Sequence, residues 1–219
     1  MCSSDLRLAP FTERIIAVAR RGEALEQLAA DLAADCEVLA VIADLRTIEG
    51  VTQCIEQMRQ RGPVDCLINN AGYGTYTRFV ASDVDQEMDM ISLNVLAPTR
   101  LCRAAVPAML AQGRGAIINV ASVGALQPVP KSAVYAGTKS FLHNFTLSLA
   151  AELSGTGISV QSLCPGFTRT EIHDTETMAG FDAARVPDAA WMSAEDVVTS
   201  SLEQLGSRSE EHTSELQSP

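Results

Sequence analysis

Lysine occurs only twice in this chain, as Lys131 and Lys139, and tyrosine only three times, as Tyr73, Tyr76 and Tyr135. Acids outnumber Lys and Arg by 27 to 16, giving a formal charge of -11 and a pI near 4.7. Nucleic-acid and anionic-membrane surfaces need clustered Lys and Arg, so this balance excludes both as partners. No apolar run approaches the roughly 18 residues that span a bilayer, and no secretory signal is visible at the start. Histidine is confined to His143, His173 and His212, and the six cysteines (Cys2, Cys36, Cys54, Cys66, Cys102, Cys164) form no C-x-x-C pair. That scarcity argues against a metal site and for reduced structural thiols in a cytoplasmic protein.

What is present is a soluble globular composition, 47% hydrophobic and 20% charged over 219 residues, enough for one sizeable domain. Five apolar runs read as buried strands: 14–20, 37–45, 65–72, 115–122 and 158–166. Helix-length stretches alternate with them, at 24–34, 48–61, 84–111 and 133–154. Near-continuous apolar strands alternating with helices predict a doubly wound α/β fold, a parallel sheet covered by helices on both faces. His143 falls on the polar side of the last of these helices and is expected to face solvent. The strands end in Arg20, Asp44, Asn69-Asn70, Ser122 and Pro165-Gly166. Open α/β sheets bind ligands beyond the carboxyl ends of their strands, so these residues are expected to gather at one site.

The two scarce residue types meet there. Tyr135 and Lys139 stand four apart, on one face of a helix. A free phenol has a pKa of about 10, and a neighbouring ammonium favours the phenolate, so the spacing predicts a lowered Tyr135 pKa. Such a phenol exchanges protons near neutral pH, and Ser122 could donate a hydrogen bond to a carbonyl or alkoxide oxygen. The trio suits carbonyl reduction or alcohol oxidation. Dinucleotide choice follows from charge. The strand at 14–20 carries Ala19 where an NAD-binding protein places a carboxylate, and Arg20-Arg21 follow. Guanidiniums suit a 2′-phosphate, which favours NADP(H) over NAD(H).

With these motifs in order, the chain resembles the short-chain dehydrogenase/reductases of the short-subunit branch, over residues 14 to 206. "NNAG" at 69–72, Asn94 in "SLNVLAP", the Ser122…Tyr135-x-x-x-Lys139 set, "PGFTRT" at 165–170 and Asp44 carry the likeness. The resemblance implies a three-layer Rossmann-like fold with Tyr135 as acid/base. Lys139 would lower its pKa and hold the nicotinamide ribose, Ser122 would polarise the substrate oxygen, and Asn94 would support a proton relay. Asn70, Ala71, Gly72, Pro165, Gly166 and Thr170 would line the cofactor, with Asp44 beside the adenine. Asn69 stays open between a cofactor role and a purely structural one, and Tyr73 and Tyr76 between pocket wall and surface loop. The segment 171–198, with Phe181 and Trp191, is expected to form a lid over a small carbonyl or alcohol substrate. A homodimer or homotetramer would pair the helices at 84–111 and 133–154. An epimerase with bound NAD, or a silent dinucleotide-binding module, are the competing readings.

The family's first strand and Gly-rich phosphate turn have no counterpart before Arg14, and its last strand none after Leu205. "MCSSDL" (1–6) and "RSEEHTSELQS" (208–218) read as translated sequencing adapter. The expectation is therefore one truncated Rossmann-like domain in 1–219, with genuine sequence over about 7–207. That chain would bind dinucleotide poorly, and the activity belongs to the full-length protein.

Overall fold

The structure is a computed structural model that describes residues 8–170, 172 and 175–206. Cys2, His173, His212 and both adapter-like ends lie outside the described residues. Two compact units divide the chain, Met1–Pro63 and Val64–Pro219.

In the first unit, β1 (Arg14–Ala19) and β2 (Glu37–Ile42) pair in parallel, from Arg14 opposite Glu37 to Ala19 opposite Ile42. Parallel neighbours need a crossover, and α1 (Gly22–Leu32) supplies it. Its Leu25, Leu28 and Leu32, spaced by three and four, bury one apolar stripe in a cluster with Ala9 and Ala17. Then α2 (Ile48–Gln60) begins at Thr47, whose hydroxyl accepts from the Gly50 amide at 3.0 Å.

The second unit holds β3 (Cys66–Asn69), β4 (Gly115–Val120) and β5 (Ile158–Leu163), all parallel with β4 in the middle. The helix expected over 84–111 is three pieces: α3 (Val84–Ile91), a π turn (Ser92–Leu96) and α4 (Ala97–Gln112). A π turn carries an extra residue, and such bulges concentrate at functional sites. Next come α5 (Ala133–Glu152), a short parallel pair of β6 (Phe167–Arg169) with β7 (Trp191–Ser193), and α6 (Ala194–Gly206). Single 3-10 turns at Glu176–Met178, Ala183–Arg185 and Asp188–Ala190 fill the segment expected as a lid. In both units parallel strands alternate with helices, which is the α/β architecture the apolar runs predict.

Asn69 is a strand tie. Its Nδ2 donates to Asn119 Oδ1 at 2.7 Å across the β3–β4 pair, and Asn119 Nδ2 donates to Thr146 Oγ1 of α5 at 2.9 Å. Thr146 in turn donates to the Leu142 carbonyl at 2.6 Å. Each buried amide group is satisfied by the next, so the network locks β3, β4 and α5 together behind the strand ends.

Candidate active site

The carboxyl ends of β3 and β4 and the first turns of α5 assemble one cluster. Ser122 lies two residues past β4 in extended backbone, with its Oγ accepting from the Gly124 amide at 3.1 Å. Its hydroxyl is hydrogen-bonded to the Tyr135 phenol. Lys139 follows one turn along α5 and is 6% exposed. Its Nζ donates to the Val120 carbonyl at the end of β4 at 2.7 Å and stands 5.9 Å from the Tyr135 ring centroid. The expected trio therefore converges.

Asn94 reaches the cluster from the π turn. Its Nδ2 donates to the Tyr73 carbonyl and to Thr138 Oγ1, both at 3.1 Å, and Thr138 donates to the Tyr135 carbonyl at 2.7 Å. Asn94 Oδ1 is buried and accepts no hydrogen bond among the described residues. It faces Lys139 over Gly72: a Cβ built there would meet Asn94 Oδ1 at 2.9 Å and Lys139 Nζ at 3.4 Å. A side chain at 72 would close the space between them, so glycine keeps an acceptor and a cation facing one small polar recess. Beside Gly72, Asn70 and Ala71 are exposed at the end of β3. Gly74 lies against the phenol, its would-be Cβ 3.0 Å from Tyr135 Cδ2.

Pro165 joins through backbone, its carbonyl accepting from Val123 at 3.0 Å beside Ser122, and Gly166 follows in the same turn. Thr170 follows β6 and is exposed, its hydroxyl donating at 3.5 Å to the Thr168 carbonyl. Arg20 and Asp44 belong to the first unit. Arg20 is exposed at the end of β1. Asp44 is clasped by Arg46, which sequence reasoning passed over, with Nη2–Oδ2 at 2.6 Å and Nε within 3.0 Å of both oxygens. The hydrogen bond from Arg46 holds the Asp44 carboxyl below its ordinary value.

Two expectations are corrected. Tyr135 was expected to have a lowered pKa, yet burial pushes its phenol above the ordinary value, with the Ser122 hydrogen bond opposing. Desolvation also pulls Lys139 down to about 8, the nearby Cys164 thiol opposing, so the amine is still mostly an ammonium at neutral pH. The phenol, raised by burial, holds its proton at neutral pH. His143, expected in solvent, is 8% exposed, with Nδ1 2.9 Å from Ser162 Oγ and 3.5 Å from Cys164 Sγ of the β5 end. A helix packed on more than one side buries polar positions wherever a partner satisfies them.

The remaining cysteines read as structural. No disulfide links them, and burial raises the Cys66 and Cys102 thiols to about 11. Tyr73 donates to the Gln86 carbonyl at 2.6 Å. Tyr76 packs edge-on against Phe181 at 5.6 Å, and Phe167 contacts both Phe181 and Trp191, so the expected lid carries an aromatic cluster.

Comparison with known proteins agrees with this geometry. A family profile described as short chain dehydrogenase matches residues 7–179. An uncharacterized oxidoreductase of Staphylococcus aureus is 32% identical over 163 residues, 74% of this chain and 70% of its own length. Among solved structures, a short-chain dehydrogenase from Sphingobium yanoikuyae in complex with NADPH matches with a TM-score of 0.85 at 32% identity, covering 93% of this chain and 79% of that one. L-sorbose reductase from Gluconobacter frateurii, complexed with NADPH and L-sorbose, matches with a TM-score of 0.82 at 28% identity, covering 96% and 87%. The chain belongs to the short-chain dehydrogenase family.

Proposed function

We propose that the protein is an NADP(H)-dependent carbonyl reductase, running in reverse as a secondary-alcohol dehydrogenase. The observation that carries this reading is a phenol kept protonated by burial, hydrogen-bonded to a serine hydroxyl, with a buried amine one helical turn away. Ser122 orients and polarises the substrate oxygen, and Tyr135 delivers a proton to it. Lys139 then steadies the phenolate that donation leaves behind.

The bound nucleotide supplies the hydride. The recess between Asn94 Oδ1 and Lys139 Nζ over Gly72 fits a hydroxyl-bearing ligand, since it offers one unused acceptor beside a cation. Lys139 and Tyr135 would hold the nicotinamide ribose there, with Asn70, Ala71 and Gly72 along one edge and Pro165, Gly166 and Thr170 along another. In the first unit taken by itself, Arg20 is suited to a 2′-phosphate and Asp44, its carboxylate held by Arg46, to an adenine. The NADPH in the two solved relatives supports this choice.

The test follows nucleotide absorbance while the full-length protein is offered aldehydes, ketones and quinones. Substrate-dependent oxidation is expected, with kcat/KM for NADPH above that for NADH by about tenfold or more, as a charge-assisted phosphate contact implies. Tightly bound NAD without net oxidation would favour an isomerase instead.

We also propose a homodimer or homotetramer, on the strength of Phe141 and Phe145 stacked 6.0 Å apart on the outer face of α5, Phe141 being 44% exposed. Apolar rings left in water on a helix face are what partner subunits cover. Sedimentation of the full-length protein is expected to give two or four chains, and a monomer at micromolar concentration would refute the pairing.

A further inference from the structure

One buried acid takes no part in the chemistry above. Glu87, on α3, is 5% exposed, and its Oε1 accepts from Thr75 Oγ1 at 3.2 Å. Its Oε2 is buried and meets no hydrogen-bond partner among the described residues. Leaving a carboxyl oxygen dry and unmatched costs stability, and placement near the start of a helix offsets only part of that cost. A surface position for the acid would avoid the cost, so its location needs a reason.

The reason lies one residue from Thr75. Three hydrogen bonds besides that of Glu87 converge on the stretch 73–75. Tyr73 donates to the Gln86 carbonyl at 2.6 Å, and Asn94 Nδ2 donates to the Tyr73 carbonyl at 3.1 Å. Ser132, which precedes α5, donates to the Thr75 carbonyl at 2.7 Å. Gly74 is thus held on both sides by consecutive residues of α3, and it lies against the Tyr135 ring. Its would-be Cβ would stand 3.0 Å from Cδ2 and 3.3 Å from Cε2. Thr75 itself is 2% exposed, so its hydroxyl has no water to turn to.

We propose that Glu87 is a positioning residue: by fixing Thr75 it seats Gly74 on the Tyr135 ring and so sets the direction of the phenol. This rests on the reading of Tyr135 as the proton donor. Gln86 and Glu87 together form a two-point clamp on Tyr73 and Thr75, the residues that flank Gly74. A small misplacement of a reacting group costs large factors in rate while leaving nucleotide affinity alone.

The experiment compares Glu87→Gln, Glu87→Ala, Thr75→Val and the Glu87→Ala/Thr75→Val pair in the full-length protein. It uses two readouts, amide hydrogen exchange over residues 72–77 and steady-state kinetics. Glu87→Gln keeps an acceptor for Thr75, so exchange and kcat are expected within about threefold of the parent. Glu87→Ala and Thr75→Val are each expected to speed exchange and lower kcat by about tenfold, with KM for NADPH unchanged. The pair is expected to be no worse than Glu87→Ala alone, because both changes break one contact. Unchanged exchange in Glu87→Ala and Thr75→Val would overturn the clamp, and faster exchange with unaltered kcat would overturn its link to Tyr135. Thr75→Val preserves shape, which keeps the test open if Glu87→Ala folds poorly. A parent that turns over no carbonyl contradicts the proposed activity instead, while exchange alone still decides the clamp.

Discussion

Replacing Lys139 by Met is expected to lower kcat for carbonyl reduction by about a hundredfold and to remove the alkaline limb of the parent's pH profile. The amine is almost wholly buried, and desolvation brings it down to about 8. Below that pH it is an ammonium, and a cation one turn from Tyr135 stabilises the phenolate that forms when the phenol gives up its proton. As pH rises through about 8 that charge is lost and the rate is expected to fall. The acid itself is not what fails there, because burial holds the Tyr135 pKa above its ordinary value.

Unfolding of this origin is not the cause either. Lys139 sits below its ordinary 10.5 in the folded protein, so between about 8 and 10.5 the unfolded chain binds the extra proton. Its contribution to stability therefore grows with pH across that window. The check is kcat against pH for parent and Lys139→Met, with thermal unfolding recorded at each point. An alkaline limb at the same pH in the Met variant would remove Lys139 from the account.

Much of this was readable beforehand. Apolar runs marked all five long strands, because a strand covered on both faces has no polar alternation to hide it. The Tyr135–Lys139 spacing and the Ser122 strand end converge as predicted, since four residues on a helix fix a face. What spacing does not carry is burial. The Tyr135 pKa was misjudged because the sequence shows the amine but not the desolvation acting on both groups.

The π turn was invisible for a related reason: "SLNVL" has ordinary helical composition, and its extra residue is decided by what Asn94 meets. Nothing in the sequence sets Glu87 apart from a solvated acid near a helix start, and His143 reads as a polar-face residue, yet both are buried. By contrast, α6 did have a legible signal. Ser193 Oγ accepts from the Asp196 amide at 3.0 Å and donates to its carboxylate at 2.6 Å, the N-cap contact that a serine three residues ahead of an acid announces. Asp44-x-Arg46 was legible too, as a short acid–base pair after β2.

The largest expected effect belongs to Tyr135. A phenylalanine there keeps the ring that Gly74 packs against and removes only the oxygen bonded to Ser122. No other described proton donor is hydrogen-bonded at that position, and water would have to replace a group already oriented by Ser122. Positioned acid catalysis accounts for roughly 10²–10⁴ in rate, and loss of orientation adds to it, so kcat is expected to fall by about 10³-fold or more. Nucleotide affinity is expected to change by no more than about fivefold, the size of one hydrogen bond. Lys139 keeps its bond to the Val120 carbonyl, and the recess over Gly72 is untouched.

The decisive measurement is a single mixing experiment: full-length Tyr135→Phe saturated with NADPH, given a ketone the parent reduces, with nucleotide binding and hydride loss recorded on one sample. Bound NADPH that is not oxidised on the parent's timescale is the predicted result. Oxidation within tenfold of the parent rate would contradict the assignment of the proton to Tyr135.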